Sequence, residues 1–161
     1  MLFQHKIQAG FGVAIACLLL TGVTAWRTAR RNMETFRQVE HSYEVLDRLE
    51  DILEEMLDTE TGNRGFAISG SEEFLKPFEI GTNAVPKTIA EAIRLTQDHP
   101  DQQRRLADLA GIIQRKISLG NEAINLRRSG DTTASLQLIA SGQGKQMMDD
   151  IRRLILQMEQ A

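Results

Sequence analysis

The side chains best suited to chemistry in this sequence are acidic and basic residues that lie close together in the chain. Glu55, Asp58 and Glu60 could act as paired carboxylates, one group donating a proton and another accepting it. Glu60 and Arg64 are one helical turn apart, so on a helix they would form an ion pair or present their charges to a ligand. Because no histidine accompanies them, the pattern favours a solvated helix face or a binding role over catalysis.

Other candidates for chemistry are scattered along the chain. Asp149 and Asp150 could contribute to a metal site, but no histidine or cysteine accompanies them. His5, His41 and His99 are far apart, and the sequence after His41 is not that of a phosphoacceptor box. The helical E-x-x-H pair of di-metal bundles is absent from the sequence. We therefore expect neither an enzyme nor a protein that binds a metal or another cofactor.

The elements that must position these residues are helices. Apolar residues recur every three or four positions over residues 36–68, which predicts one long amphipathic helix. Gly70 suits the left-handed position after a helix end, and Ser69 with Glu72 fits a capping box. The helical period resumes at Phe74, so residues 58–78 are predicted to form the tip of a helical hairpin.

Three further helices follow in the pattern. The second is predicted over residues 72–96, with Pro86 expected to kink or break it, and the third over residues 100–129. Asp131 is expected to cap a fourth helix, in which Gly142 and Gly144 mark either close helix packing or a hinge. The prediction is an all-α protein, an up-down four-helix bundle.

Residues 7–26 form an uncharged run long enough to span the hydrocarbon core of a bilayer, ~30 Å as a helix. Trp26 suits the membrane interface. A cleaved signal peptide is the alternative interpretation, with a small-residue site near Ala25. We expect an uncleaved transmembrane helix that continues into the bundle. The arginines at 27, 30 and 31 would, by the positive-inside rule alone, place the bundle in the cytoplasm.

Composition limits the remaining possibilities. Cys17 is the only cysteine, so disulfides cannot stabilise the domain. The formal net charge is −3, with both signs interspersed along the chain, which gives no indication of nucleic-acid binding.

Two motifs carry a resemblance to a known family. The first motif is an acidic residue, E-T-G, a polar residue, R-G, an apolar stretch, a glycine-centred turn and an apolar-Leu-x-Pro-aromatic run. The second motif is G-x-G-K followed by M-D-x-x-R. The chain resembles the CHASE domain, type 3 (cyclases/histidine-kinases-associated sensory extracellular), over about residues 36–158, with Asn63 where members often have Gln. The matching residues of the first motif are Asp58, Glu60, Thr61, Gly62, Arg64, Gly65, Gly70, Phe74, Leu75, Pro77 and Phe78. Those of the second are Gly142, Gly144, Lys145, Met148, Asp149 and Arg152.

This resemblance implies an extracytoplasmic sensory input module of a bacterial transmembrane receptor, of the histidine kinase or chemoreceptor type. Residues 1–26 would then be the cytoplasmic N-terminus and inner-membrane helix, and residues 27–161 the sensor domain, truncated before a second transmembrane helix. The hairpin-tip motif would have a ligand-binding or packing role, and the ligand, a small molecule or a protein, stays unidentified. The alternative is a membrane-tethered scaffold that binds a partner without a small-molecule ligand.

A parallel homodimer is also expected. The first helix is predicted to extend ~20 Å beyond its hairpin partner, and this extension carries apolar residues at Met33, Phe36 and Val39. Two copies in one membrane are already aligned in parallel, which reduces the entropic cost of association.

Overall fold

The structure is a computed structural model that describes the backbone of residues 2–160. It describes the side chains of residues 12, 18–30, 33 and 41–160. The chain divides into two compact units, Met1–Ser42 and Tyr43–Ala161. Residues 2–160 contain helices and turns and no strand, which confirms the all-α prediction. In order the elements are α1 (Leu2–Ser69), a 3₁₀ turn (Glu72–Phe74), α2 (Leu75–Leu95), α3 (Pro100–Arg128), α4 (Thr132–Ala140) and α5 (Gln143–Glu159).

The first unit is helical throughout its described residues. The Thr24 hydroxyl donates to the carbonyl of Thr21, and the Arg30 guanidinium lies 4.3 Å from the centre of the Trp26 ring. Among the residues that the structure describes, no helix combines the length and the apolar character needed to cross a membrane. Most side chains of residues 7–17 lie outside the described residues, so the transmembrane helix and the domain boundary after Trp26 stay predictions.

Four helices of the second unit share one apolar core. The core, which we call the large core, takes residues from α1, α2, α3 and α5 at spacings of three and four. A smaller tip cluster lies near the α1–α2 turn. The large core contains Leu49, Ile52, Met56, Val85, Ile89, Ala92, Leu106, Leu109, Ile113, Met148, Ile151, Ile155 and Met158; the tip cluster contains Phe66, Leu75, Phe78 and Ile124.

The turn after α1 confirms one prediction and corrects another. Gly70 has a φ of 71°, as the helix-end signal predicts. The capping box is wrong: the Ser69 hydroxyl donates to the carbonyl of Gly65, and both Glu72 oxygens accept from Arg128 in α3. A two-point bond to a guanidinium is stronger than a bond to one backbone amide, which explains the different partner.

The two hairpin tips have similar backbones and different surroundings. Gly130, after α3, also has a positive φ, 93°, and nothing lies within 4 Å of a Cβ added there. At Gly70 an added Cβ would lie 2.7 Å from the Arg127 guanidinium. Arg128 is a second contact between the end of α3 and the end of α1, because its guanidinium lies 5.8 Å from the Phe66 ring centre.

The predicted fourth helix is two helices. Asp131 caps α4 as expected, its carboxylate accepting from the Ala134 amide at 2.9 Å. The helix then stops at Ala140, and α5 begins after Gly142, whose φ of 79° is left-handed. A positive φ interrupts the helical hydrogen bonds, which explains the division into α4 and α5. The second helix, in contrast, continues through Pro86 without a break.

Candidate functional site

The residues of the first motif that belong to α1 lie on two faces of the helix, and one face serves packing. Gly62 and Gly65 face the start of α2. A Cβ added at Gly62 would lie 2.7 Å from the Phe74 carbonyl oxygen and the Phe78 amide nitrogen. A Cβ added at Gly65 would lie 2.3 Å from the Phe74 ring. These glycines therefore let the two helices of the hairpin approach closely at the tip.

The other face carries the charges. Glu60 is two residues from Gly62, about 200° around the helix, and its Oε1 accepts from the Arg64 guanidinium at 2.6 Å. Its Oε2 lies 3.3 Å from the Nζ of Lys116 in α3. The predicted ion pair is confirmed, and the structure adds a second cation to it. Arg64 is half-exposed, whereas the Glu60 side chain is only 15% exposed.

Lys116 is the centre of the site. Its side chain is 7% exposed, and its Nζ donates to the carbonyl oxygen of Gly144 at 3.0 Å. Loss of water around the amine lowers the pKa of Lys116 below its usual range, and the neighbouring Glu60 carboxylate opposes this effect. One buried ammonium thus joins the motif on α1 to the second motif at the start of α5.

The second motif surrounds this junction. The Lys145 ammonium pairs with Asp149 at 2.6 Å, and Arg152 donates to the same carboxylate at 3.2 Å. Hydrogen bonding from Lys145 holds the pKa of Asp149 below its usual range. Met148 is buried in the large core. Close helix packing does not require Gly142, because nothing lies within 4 Å of a Cβ added there. Its left-handed φ of 79° instead marks the break between α4 and α5, and the hinge stays a prediction.

A small cavity of about 30 Å³ lies between the motifs. The Oδ1 atom of Asn63 is buried and has no hydrogen-bond partner among the described residues. The charged side chains that line the cavity are three cations and one carboxylate, so the lining is electropositive. The complete lining consists of Thr59, Glu60, Asn63, Arg64, Phe78, Lys116, Leu119, Gly120, Leu138, Ile139, Gly144 and Lys145.

The remaining residues of the first motif do not reach this cavity. Asp58 and Thr61 are exposed, and Phe74 is half-exposed above Gly65. Leu75 belongs to the tip cluster, and Pro77 is half-buried. Their positions fit packing and turn formation, whereas Phe78 contributes both to the tip cluster and to the cavity wall.

The other acidic candidates have separate partners. The Thr88 hydroxyl donates to Glu55 Oε1 at 2.8 Å, while Glu55 Oε2 is buried without a partner among the described residues. Burial raises the pKa of Glu55 above its ordinary value of 4.5. Asp150 pairs with Arg153.

The histidines are not brought together by the described structure. His41 and His99 are exposed, and the side chain of His5 lies outside the described residues.

The sequence pattern does not identify Lys116 or Asn63 as site residues. Both continue buried stripes: Lys116 follows Leu109 and Ile113, and Asn63 follows Met56. An apolar stripe continued from Leu109 and Ile113 would take the neighbouring Ile117 instead, because Ile117 is apolar. A lysine at a position that the helical period assigns to the core is the signal that could have found the site.

Comparison with known proteins identifies the family of this chain. A family model for the CHASE3 domain matches residues 35–161. The chain is similar to the crystal structure of the Rhodopseudomonas palustris histidine kinase HK9 sensor domain, with a TM-score of 0.68 and 15% sequence identity. This similarity covers 73% of this chain and 92% of that one. No curated protein sequence matches the chain. Because the family model spans most of its length, the chain belongs to the CHASE3 domain family and is a sensory input module.

Proposed function

We propose that this protein is the extracytoplasmic input module of a bacterial transmembrane receptor, of the histidine kinase or chemoreceptor type. The proposal includes an inner-membrane anchor at residues 7–26 and a signal carried by displacement of α5 relative to α1. The observation that carries it is the buried Lys116, which bonds both to Glu60 on α1 and to Gly144 at the start of α5.

The packing around this link supports a displacement. In the large core α1 and α5 pack through leucine, isoleucine and methionine side chains, including Met56, Met148 and Met158. Methionine is unbranched and flexible, so it accommodates small shifts of a neighbouring helix. The left-handed Gly142 begins α5, and its α-carbon faces open space. A change in the bond from Lys116 to Gly144 would therefore act on the end of α5 with the least packing to restrain it.

Two spin labels can test the displacement. Cysteines at the exposed positions Glu50 on α1 and Gln157 on α5, in a Cys17→Ser background, would carry the labels. Pulsed electron resonance on the full chain should give different distance distributions for the wild type and for Lys116→Met. The exposed Lys76→Gln is the matched control and should leave the distribution unchanged. Identical distributions in all three proteins would refute the displacement and favour the tethered scaffold.

The membrane topology requires its own test, because the arginines after residue 26 favour the opposite orientation. Alkaline phosphatase fused after the last residue should be active in bacteria if the bundle is extracytoplasmic. If alkaline phosphatase is inactive at this position and a cytoplasmic reporter fused there is active, the bundle lies in the cytoplasm. N-terminal sequencing of membrane-extracted protein distinguishes an anchor from a cleaved signal peptide, since an intact anchor retains residues 1–26.

A parallel homodimer is part of the same proposal. Met33 is 66% exposed on α1, in line with an unpartnered apolar surface, while the side chains of Phe36 and Val39 lie outside the described residues. Single cysteines at these three positions in membranes should cross-link between subunits. Cross-links at Leu106 but at none of the three would contradict this interface, because Leu106 is buried within the large core of one subunit.

A further inference from the structure

The cavity between the two motifs has the charge of an anion site. Arg64, Lys116 and Lys145 line it, and Glu60 is the only carboxylate in its lining, which leaves an excess of two positive charges. Both oxygens of Glu60 are already engaged, one by Arg64 and one by Lys116. The Lys116 ammonium has three hydrogens, and the described residues supply acceptors for two, at Glu60 and Gly144. A third hydrogen is therefore available to a ligand.

The size of the cavity restricts the ligand. Its volume of about 30 Å³ limits the bound part of a ligand to a few atoms, such as a carboxylate with one small substituent, and excludes an aromatic ring. Lys145 is 72% exposed and lies in the lining, so the remainder of a ligand could extend past it into solvent. A carboxylate can accept from two lysines through separate oxygens, and Lys145, which pairs with Asp149, has two further hydrogens to donate.

Asn63 adds a second requirement. Its Oδ1 atom is a buried acceptor with no partner among the described residues, and a buried polar atom left unpaired is costly. A ligand that meets it must donate a hydrogen bond close to its carboxylate. A hydroxyl group on the carbon next to the carboxylate has this geometry.

We propose that this cavity binds a small 2-hydroxycarboxylate. Its carboxylate would bind Lys116 and Lys145, and its hydroxyl would donate to Asn63 Oδ1. The role of this ligand as the receptor's input rests on the proposed function, whereas the binding itself is independent of signalling and topology. The ligand would bind the same Lys116 ammonium that donates to the Gly144 carbonyl, which connects binding to the start of α5.

The test is calorimetric titration of the full chain in detergent micelles with glycolate, acetate and inorganic phosphate. Glycolate and acetate differ by one hydroxyl group. Glycolate should bind saturably, and acetate should bind roughly tenfold or more weakly because it leaves Asn63 unpaired. Phosphate distinguishes a carboxylate site from a general anion site, and it should also bind more weakly than glycolate. An ordered water could satisfy Asn63 as well; absence of saturable glycolate binding would then overturn the proposal.

Variants locate the binding. Asn63→Gln lengthens the amide into the cavity and should weaken glycolate binding roughly tenfold or more; the thermal midpoint measured alongside shows that the variant is folded. Lys116→Met should abolish binding, and the exposed Lys145→Gln, which leaves Lys116 in place, should weaken it. Lys76→Gln should bind like the wild type. Full binding in Asn63→Gln and Lys145→Gln, or equal affinity for acetate or phosphate, would overturn the assignment. Because calorimetry needs no signalling, a failure here is distinguishable from a failure of the receptor proposal.

Discussion

Next to the large core lies a group of polar side chains that we call the polar layer: Thr59, Glu60, Asn63 and Lys116. The large core is apolar, yet both groups lie on the same buried stripes of α1 and α3. On α1 the buried stripe passes from Ile52 and Met56 of the large core to Thr59 and Asn63 without a change of spacing. On α3 it passes from Leu109 and Ile113 to Lys116 in the same way.

The position of a residue in the helical period determines whether it is buried, and its side-chain type determines whether it stabilises the core or forms a polar site. Apolar burial in the large core contributes to stability in proportion to its area. A buried lysine contributes little, because the cost of removing its charge from water offsets its ion pair. Leucine at the positions of the polar layer would stabilise the bundle more than the polar residues do. Polar residues kept at such positions usually indicate a functional site.

The largest effect should come from the large core. Ile151→Ala removes a fully buried side chain of α5 and should lower the free energy of unfolding by about 2–5 kcal/mol. Leu156→Ala on the same helix is the control; its side chain is 53% exposed, so the loss should be about 0.5 kcal/mol. Denaturant unfolding measures both. Equal losses would mean that α5 is not packed as described.

The next effect tests the polar layer. Glu60→Gln leaves the buried Lys116 without its counter-ion and should destabilise the fold by about 3 kcal/mol. Lys116→Met keeps the Glu60–Arg64 pair and replaces a charge by an apolar chain of similar length, so it should change stability by less than about 1 kcal/mol. Arg64→Gln should also cost less than about 1 kcal/mol, because Arg64 is half-exposed. If Glu60→Gln were as mild as Arg64→Gln, the pair would behave as a surface pair.

Glycine exchange tests how tightly the hairpin is packed beside the polar layer. At Gly81 an added Cβ would lie 2.4 Å from both the Glu55 carbonyl oxygen and the Thr59 hydroxyl. Gly81→Ala should therefore cost about 1–3 kcal/mol through displacement of α2 from α1. Gly111→Ala is the control, because its nearest neighbour is the Arg115 guanidinium at 3.6 Å. It should stabilise α3 by about 0.5–1 kcal/mol in denaturant unfolding. A stabilising Gly81→Ala would contradict the close approach of α1 and α2.

The smallest effect concerns pH. Burial raises the pKa of Glu55 in the folded state, so the folded protein binds this proton more tightly than the unfolded chain does. The contribution of Glu55 to stability therefore increases as pH falls through the raised pKa and is complete below about 4.5. Glu55→Gln keeps an acceptor for Thr88 and removes the charge, so it should be more stable than wild type at pH 7. Unfolding at pH 7 and pH 4 measures this advantage, which should shrink at the lower pH. A constant difference would mean that Glu55 does not titrate differently in the two states.

Much of the fold is predictable from the sequence, because helix ends have local signals. Gly70 and the cap at Asp131 lie where the pattern places them, and α3 begins at residue 100 as predicted. The division of the fourth helix depends on a backbone angle at Gly142 that helical periodicity does not encode. The capping box failed because Arg128, distant in sequence, competes for Glu72.

The candidate site was only half predictable for the same reason. Glu60 and Arg64 are neighbours on one helix, so their spacing predicts their pair. Lys116 and Gly144 meet them only through the packing of three helices, and no local pattern reports such a contact. Parts of the two motifs, predicted separately, thus line one cavity and are joined by Lys116, which belongs to neither motif.

The unequal tips of the two hairpins have a practical consequence for protein engineering. The turn at Gly70 lies under the Arg127 guanidinium, whereas the turn at Gly130 is open on the side where a side chain would project. An exposed turn of small polar residues is where a chain accepts a foreign domain. A circularly permuted fluorescent protein inserted after Gly130 would join α3, which carries Lys116, to α4, which lines the cavity, and could convert occupancy of the site into an optical signal.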